Sequence, residues 1–184
     1  VDVDIAADAA QDPAGNNSTA ATTFSIVSDA TAPGVTITSA ESDSTTQSSF
    51  EVTITFDEIV TGFVLGDIAA TNGTAGNLQV VTADRVWTAD ITPTADGTVD
   101  VDIAADAAQD PAGNNSTAAT TFSIVSDQSA PGVVITSAES DSTTLSPFEI
   151  TITFDEIVNG FVLGDIAVTN GSAGNLQVVT ADRV

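Results

Sequence analysis

Residues 50–56 read Phe50-Glu51-Val52-Thr53-Ile54-Thr55-Phe56, with an apolar side chain at every second position. A period of two places Phe50, Val52, Ile54 and Phe56 on one face of an extended strand and Glu51, Thr53 and Thr55 on the other. β-Branched and aromatic residues dominate the stretch, as they do in half-buried strands. It predicts a strand with one wet side and one dry side.

The same signal extends in both directions. Val35-Thr36-Ile37-Thr38 alternates in the same way, and Val99, Val101 and Ile103 alternate with Asp100 and Asp102. Phe122 and Ile124, with Thr120, give another inward set, while Phe63 to Thr71, Leu78 to Val81 and Val86 to Ile91 add three more runs. Turn chemistry divides them: Asn72-Gly73 and Asp96-Gly97 are turn dipeptides, and Pro33-Gly34, Pro93 and Asp110-Pro111 interrupt the backbone. The expected strands are A (33–40), B (49–56), C (63–71), D (76–82), E (86–92), F (98–105) and G (117–126). Seven short strands at this spacing imply an all-β fold, an immunoglobulin-like β-sandwich. Trp87 is expected to fill the core.

The pattern recurs. Residues 1–29 reappear letter for letter at 99–127, an offset of 98 residues, and 30–86 align with 128–184 with changes only at 30, 31, 36, 47, 49, 52, 61, 70 and 74. A period near 100 residues is that of a domain that folds by itself, too long for a solenoid unit. The expected organisation is tandem sandwiches: 1–28 as the last two strands of a preceding repeat, 29–126 as a complete repeat, and 127–184 as strands A to D of a following one. The stretch 87–98 has no second copy, so the sequence reads as an excerpt of a longer array. The segments DATAP (29–33) and DQSAP (127–131) are short proline-bearing linkers, suited to holding neighbours nearly end to end.

Composition removes most chemistry. The chain has 26 acidic and 2 basic residues, a net charge of −24 over 184 residues, with no Cys and no His. Disulfides, thiolate zinc sites, cysteine nucleophiles and imidazole bases are therefore excluded. Lys is absent too, which excludes Schiff bases, and Arg85 and Arg183 are the two cations. A basic footprint for nucleic acid does not exist. No apolar run approaches the ~18 residues of a membrane span, and no secretion-signal pattern opens the chain. At 42% apolar residues, with acids spread along the chain, the sequence is expected to fold.

Taken in order, S-D-x-x-A-P (28–33), V-T-I-T-F-D-E-I-V-T-G-F (52–63), D-I-A-A-T-N-G (67–73), I-T-P-T-A-D-G-T-V (91–99) and A-A-Q-D-P-A-G-N-N-S (107–116) resemble the bacterial Ig-like (Big) repeats of large surface adhesins, including those of the repeats-in-toxin type. The resemblance covers the whole chain. It implies a non-catalytic extender on the bacterial cell surface, often stiffened by calcium at domain junctions. Its partners would be neighbouring repeats of the same chain and, in a fibre, other copies.

Calcium takes several hard oxygen ligands, commonly from loops. In a sandwich with these strands, the B–C loop brings Asp57 and Glu58, the F–G loop brings Asp106, Asp110 and Asn114, and the linker brings Asp29, all to one end. At the next junction the corresponding set starts with Asp127, Asp155 and Glu156. The competing reading makes these acids solvated loop residues, with Asp110 and Asn114 closing a turn. No EF-hand loop is present.

Other polar features read as structural. Asp100 and Asp102, with their copies Asp2 and Asp4, share a strand face as an acid/base pair would, but it is the face opposite the valines, where charge keeps a strand soluble. Asn16, Asn17, Asn72, Asn114, Asn115 and Asn170 fit N-x-[ST], the glycan acceptor pattern, and are expected to be turn residues in a bacterial setting. Arg85 is expected to neutralise Asp84 or Asp90. Two further functions compete with the extender: a filament or surface-layer subunit joined by strand complementation between chains, and a carbohydrate-binding module. The last is the weakest, because the eight Phe mostly fall at core-facing positions.

Overall fold

A computed structural model of the protein describes residues 1–140 and 142–179. It is all-β and forms two compact units, Val1–Gln128 and Ser129–Val184. Arg183 lies outside the described residues.

The first unit opens with two short strands, β1 (Asp2–Val3) and β2 (Phe24–Ser25), paired antiparallel. The sandwich follows as β3 (Val35–Ser39), β4 (Ser44–Thr45), β5 (Phe50–Phe56), β6 (Ile68–Thr71), β7 (Gly73–Thr82), β8 (Val86–Pro93), β9 (Gly97–Ile103) and β10 (Phe122–Ser126). One sheet has the order β3-β5-β8-β7 and the other β4-β10-β9-β6. All pairings are antiparallel except β4 with β10, which is parallel. The first strand of the sandwich is thus split between the two sheets, and the arrangement is the expected immunoglobulin-like sandwich.

The alternation of residues 50–56 has its predicted effect. Phe50, Val52, Ile54 and Phe56 are buried, facing Val35, Ile37, Trp87, Ala89 and Ile91 along their own sheet and Val99, Val101, Ile103 and Ile124 from the other. Each such side chain taken out of water stabilises the fold by about 1.5–3 kcal/mol. Trp87 meets Phe56 and Phe63 edge-on, with ring centroids 5.6 and 5.2 Å apart.

Several elements differ from expectation, among them β7, which begins at Gly73 rather than residue 76. The third strand begins at Ile68, not residue 63, because Leu65–Asp67 forms a 3-10 turn closed by the Val64 N–H donating to Asp67 Oδ2 at 2.8 Å. The last strand begins at Phe122, and Thr120 is exposed rather than inward. Ser44–Thr45 adds a short strand the sequence did not announce.

The second unit contains β11 (Val133–Thr136) and β12 (Thr151–Phe154), followed by a second 3-10 turn at Leu163–Asp165. Ile135 pairs with Ile152 in the register that Ile37 keeps with Ile54. In the same way Val3 pairs with Phe24 as Val101 does with Phe122. Local pairing therefore survives in all three segments, but most of the burial does not: Ile152 stays buried at 7% exposed as Ile54 is, whereas Ile103 is 1% exposed and its copy Ile5 57%. Phe24 and Phe148 are also exposed, contrary to their expected inward placement, since no second sheet covers them among the described residues of their segments.

Candidate functional site

The loop between β9 and β10 closes on itself. Asp110 accepts the Asn114 main-chain N–H on Oδ1 and the Asn114 amide on Oδ2, both at 2.8 Å, and Gly113 turns the chain with φ +94°. A side chain at Gly113 would strain that left-handed turn. Gln109 donates to Asn115 across the base at 2.6 Å. The identical loop at Asp12 to Asn16 makes the same contacts, so its shape is written locally. Thr61 then pairs with Gln109 through main-chain hydrogen bonds, which fixes the β9–β10 loop against the segment after β5.

That docking brings acids together. Asp29 from the linker, Glu58 from the segment after β5 and Asp110 from the β9–β10 loop each present a carboxylate oxygen, all within 4.8 Å of one another. Asp29 is exposed, Glu58 half-buried and Asp110 buried. Loss of solvation, then the nearby charges of Asp29, Asp57 and Asp110, raise the Glu58 carboxyl above its ordinary range, and Arg85 opposes them. Hydrogen bonding from the Asn114 side chain holds Asp110 below the usual carboxylate range. Asn114 also reaches the Asp29 carbonyl oxygen at 3.3 Å, tying loop to linker.

The other expected ligands have other work or other places. Asp57 accepts the Gly34 N–H on Oδ1 at 2.7 Å, so tightly that a Cβ on Gly34 would lie 2.8 Å from Oδ2. Asp155 latches Gly132 in the same way in the second unit, at 2.6 Å. Asp106 sits in a left-handed turn (φ +67°), lines a groove with Asp67 and Asp102, and is not one of the three clustered acids. Asp127 is exposed in the first unit and donates its N–H to the Thr45 carbonyl at 3.0 Å. Glu156 is half-buried in the second unit.

Arg85 corrects an expectation. Its guanidinium donates to the main-chain oxygen of Asp57 rather than pairing with Asp84 or Asp90, and Asp90 instead receives the Asn77 amide at 2.9 Å. A single cation thus sits beside the acidic end and braces its backbone.

The remaining polar features are turn and sheet devices. Asn72 adopts φ +54°, and its side chain donates to the Ala95 and Thr98 carbonyls while accepting from Thr94. Asp102 accepts the hydroxyl of Thr121, just before β10, and Asp100 that of Ser123 within β10.

Chemically, the clustered set offers hard carboxylate oxygens and nothing soft, which suits a hard cation such as calcium, magnesium or manganese. Asp110 already accepts the Asn114 main-chain N–H on Oδ1 and the Asn114 amide on Oδ2, so a cation there would share oxygens that the loop also uses. No helix among the described residues is long and apolar enough to cross a membrane.

No curated protein matches the chain. Among solved structures, it is similar to the N-terminal part of the bacterial S-layer protein SbsC, with 20% identity and a TM-score of 0.38 over 68% of this chain and 31% of that one. This chain therefore spans less than a third of that structure's length. A family model described as a bacterial Ig-like domain matches residues 29–125 and again 127–184. The chain belongs to the bacterial Ig-like domain family.

Proposed function

We propose that this chain is a run of spacer domains in an extracellular bacterial surface protein, an adhesin or fibre, and that it adds length without catalysing a reaction. The observation that carries this reading is one self-contained sandwich, whose sequence repeats at an offset of 98 residues, with both of its linkers held by the domain itself. At one end the Asp29 carbonyl is held by Asn114, and at the other the Gln128 N–H donates to Asp96 Oδ1 at 2.8 Å. A held linker fixes the direction in which the chain leaves the domain. A net charge of −24 adds mutual repulsion between repeats, favouring an extended string.

In this reading a calcium ion binds Asp29, Glu58 and Asp110 and stiffens the junction. Bound there, it would supply positive charge that removes the repulsion among three close carboxylates, with water completing the coordination. Ligands from the linker and two loops make ion binding and linker order one event.

The test has two readouts. Polypeptides with one, two and three complete repeats should show a maximum dimension, by small-angle X-ray scattering, that grows by a constant step. A dimension that does not grow with repeat number would overturn the spacer reading. Calcium should raise the thermal midpoint of the native chain over that in chelator, and not do so for Asp29→Asn or Glu58→Gln. Equal midpoints for the native chain with and without calcium would remove the ion and leave the spacer standing.

A further inference from the structure

Asn72 is followed by Gly73, and the pair recurs as Asn170–Gly171 within nearly the same flanks. Thr71 to Leu78 and Thr169 to Leu176 differ only in Thr74 and Ser172. A third pair, Asn159–Gly160, stands where the complete repeat has Thr61–Gly62. Asparagine before glycine readily loses ammonia, because no Cβ hinders the glycine nitrogen as it approaches the asparagine side chain. At the corner between β6 and β7 the fold nonetheless requires both residues. Asn72 takes a left-handed φ of +54°, which asparagine tolerates. A Cβ on Gly73 would lie 3.3 Å from both the Thr92 carbonyl oxygen and Val99 Cγ1.

Positions 72 and 170 differ in their surroundings. Asn72 is half-buried, its amide donates to the Ala95 and Thr98 carbonyls, and its side-chain oxygen accepts the Thr94 hydroxyl. Its main-chain oxygen also accepts the Thr94 N–H at 3.0 Å. The side chain must release this clip before its Cγ can turn onto the Gly73 nitrogen. Asn170 keeps the left-handed backbone, with φ +60°, but it is exposed. Its side chain has no hydrogen-bond partner among the described residues. It has the shape of the corner without the clip.

We propose that Asn170–Gly171 is a site of spontaneous self-modification, and that the clip withholds the same reaction from Asn72 until the turn before β9 comes away. The glycine nitrogen forms a bond to the asparagine Cγ, the Cγ–Nδ2 bond breaks, and ammonia leaves with the main-chain proton. Water then opens the cyclic imide at either carbonyl, giving aspartate or isoaspartate. At position 72 both products prevent the corner from closing again. Aspartate sets carboxylate oxygens against the Ala95 and Thr98 carbonyls, replacing hydrogen bonds with repulsion. Isoaspartate lengthens the main chain by a methylene where β7 must start. Asn72 is thus a one-way record of opening in a pulled spacer. That consequence goes beyond the spacer reading, and the reaction itself needs neither that reading nor the calcium site.

The native chain is warmed at mildly alkaline pH, in buffer and in unfolding urea, and amide-to-acid conversion at each pair is followed by peptide mass spectrometry. In buffer Asn170 should convert about tenfold faster than Asn72, the ratio expected when a few hydrogen bonds must open first. Asn159 should also outpace Asn72. In urea Asn72 and Asn170 should react at the same rate, since their flanks are nearly identical. Thr94→Ala, which removes one bond of the clip, should speed Asn72 and leave Asn170 unchanged. Equal rates in buffer, a gap that persists in urea, or an Asn72 rate indifferent to Thr94→Ala would overturn the proposal.

Discussion

Asn114 grips Asp110 twice, with its main-chain N–H on Oδ1 and its side-chain amide on Oδ2, both at 2.8 Å. The pair closes the loop that carries Asp110 to the linker, and it holds the Asp110 carboxyl below its ordinary value of 3.8. A depressed pKa contributes stability above the unfolded value and loses it as pH falls through the folded one. Asn114→Ala removes the largest cause of that depression. Its acid-unfolding midpoint, followed by the fluorescence of Trp87, the one tryptophan, should lie at higher pH than that of the native chain. Superimposable acid transitions would show that the bond does not act on stability.

Glu58 behaves in the opposite sense. Desolvation and its acidic neighbours raise its pKa above 4.5, so its contribution favours the fold below 4.5 and is lost as pH rises through the raised value. Without divalent ions, Glu58→Gln should therefore melt at a higher temperature than the native chain at pH 7. That difference should shrink and close as pH falls to about 4.5 and below. A variant that melts lower at pH 7 would mean that the carboxylate is paired rather than crowded.

The repeat supplies an internal control for packing. Ile103 and Ile5 have identical neighbours in sequence, but Ile103 is buried between two sheets and Ile5 is exposed. Urea titration read at Trp87 should show Ile103→Ala costing about 2–5 kcal/mol. Ile5→Ala should stay within about 0.5 kcal/mol of the native chain. Equal losses would mean that residues 1–28 bury their apolar face in solution.

The sandwich was legible because its strands alternate with a period of two, and β5, β8 and β9 carry that pattern without a break. β4 was not, because Ser44 and Thr45 have no apolar signature and exist as a strand only through pairing with β10. The start of β6 was misjudged because Phe63 and Val64 prolong an apolar run, while Asp67, by capping the Val64 N–H, turns the chain into a 3-10 segment. At the acidic end, topology alone sufficed to bring Asp29, Glu58 and Asp110 to one place. The separate fates of Asp57 and Asp106 were hidden, since one depends on a main-chain latch to Gly34 and the other on a left-handed turn. Neither leaves a trace in residue spacing.

Asn72 separates a glycan acceptor from a turn residue. Its amide donates to the Ala95 and Thr98 carbonyls at 3.0 and 3.3 Å, and its oxygen accepts the Thr94 hydroxyl at 3.0 Å, joining the corner before β7 to the turn before β9. Its φ of +54° adds a backbone requirement that glycine meets and alanine does not. Asn72→Gly removes the three-bond clip alone and should destabilise by about 1–3 kcal/mol, since each such bond contributes roughly 0.5–1.5 kcal/mol net. Asn72→Ala removes the clip and forces a left-handed alanine, so it should cost about 1 kcal/mol more. Thr74→Ala destroys the N-x-[ST] pattern but touches neither device, and it should leave the urea midpoint in place. If Thr74→Ala instead matched the Asn72 variants, the hydroxyl at 74 would be part of the corner, and the side-chain clip of Asn72 would not by itself explain why the chain turns there.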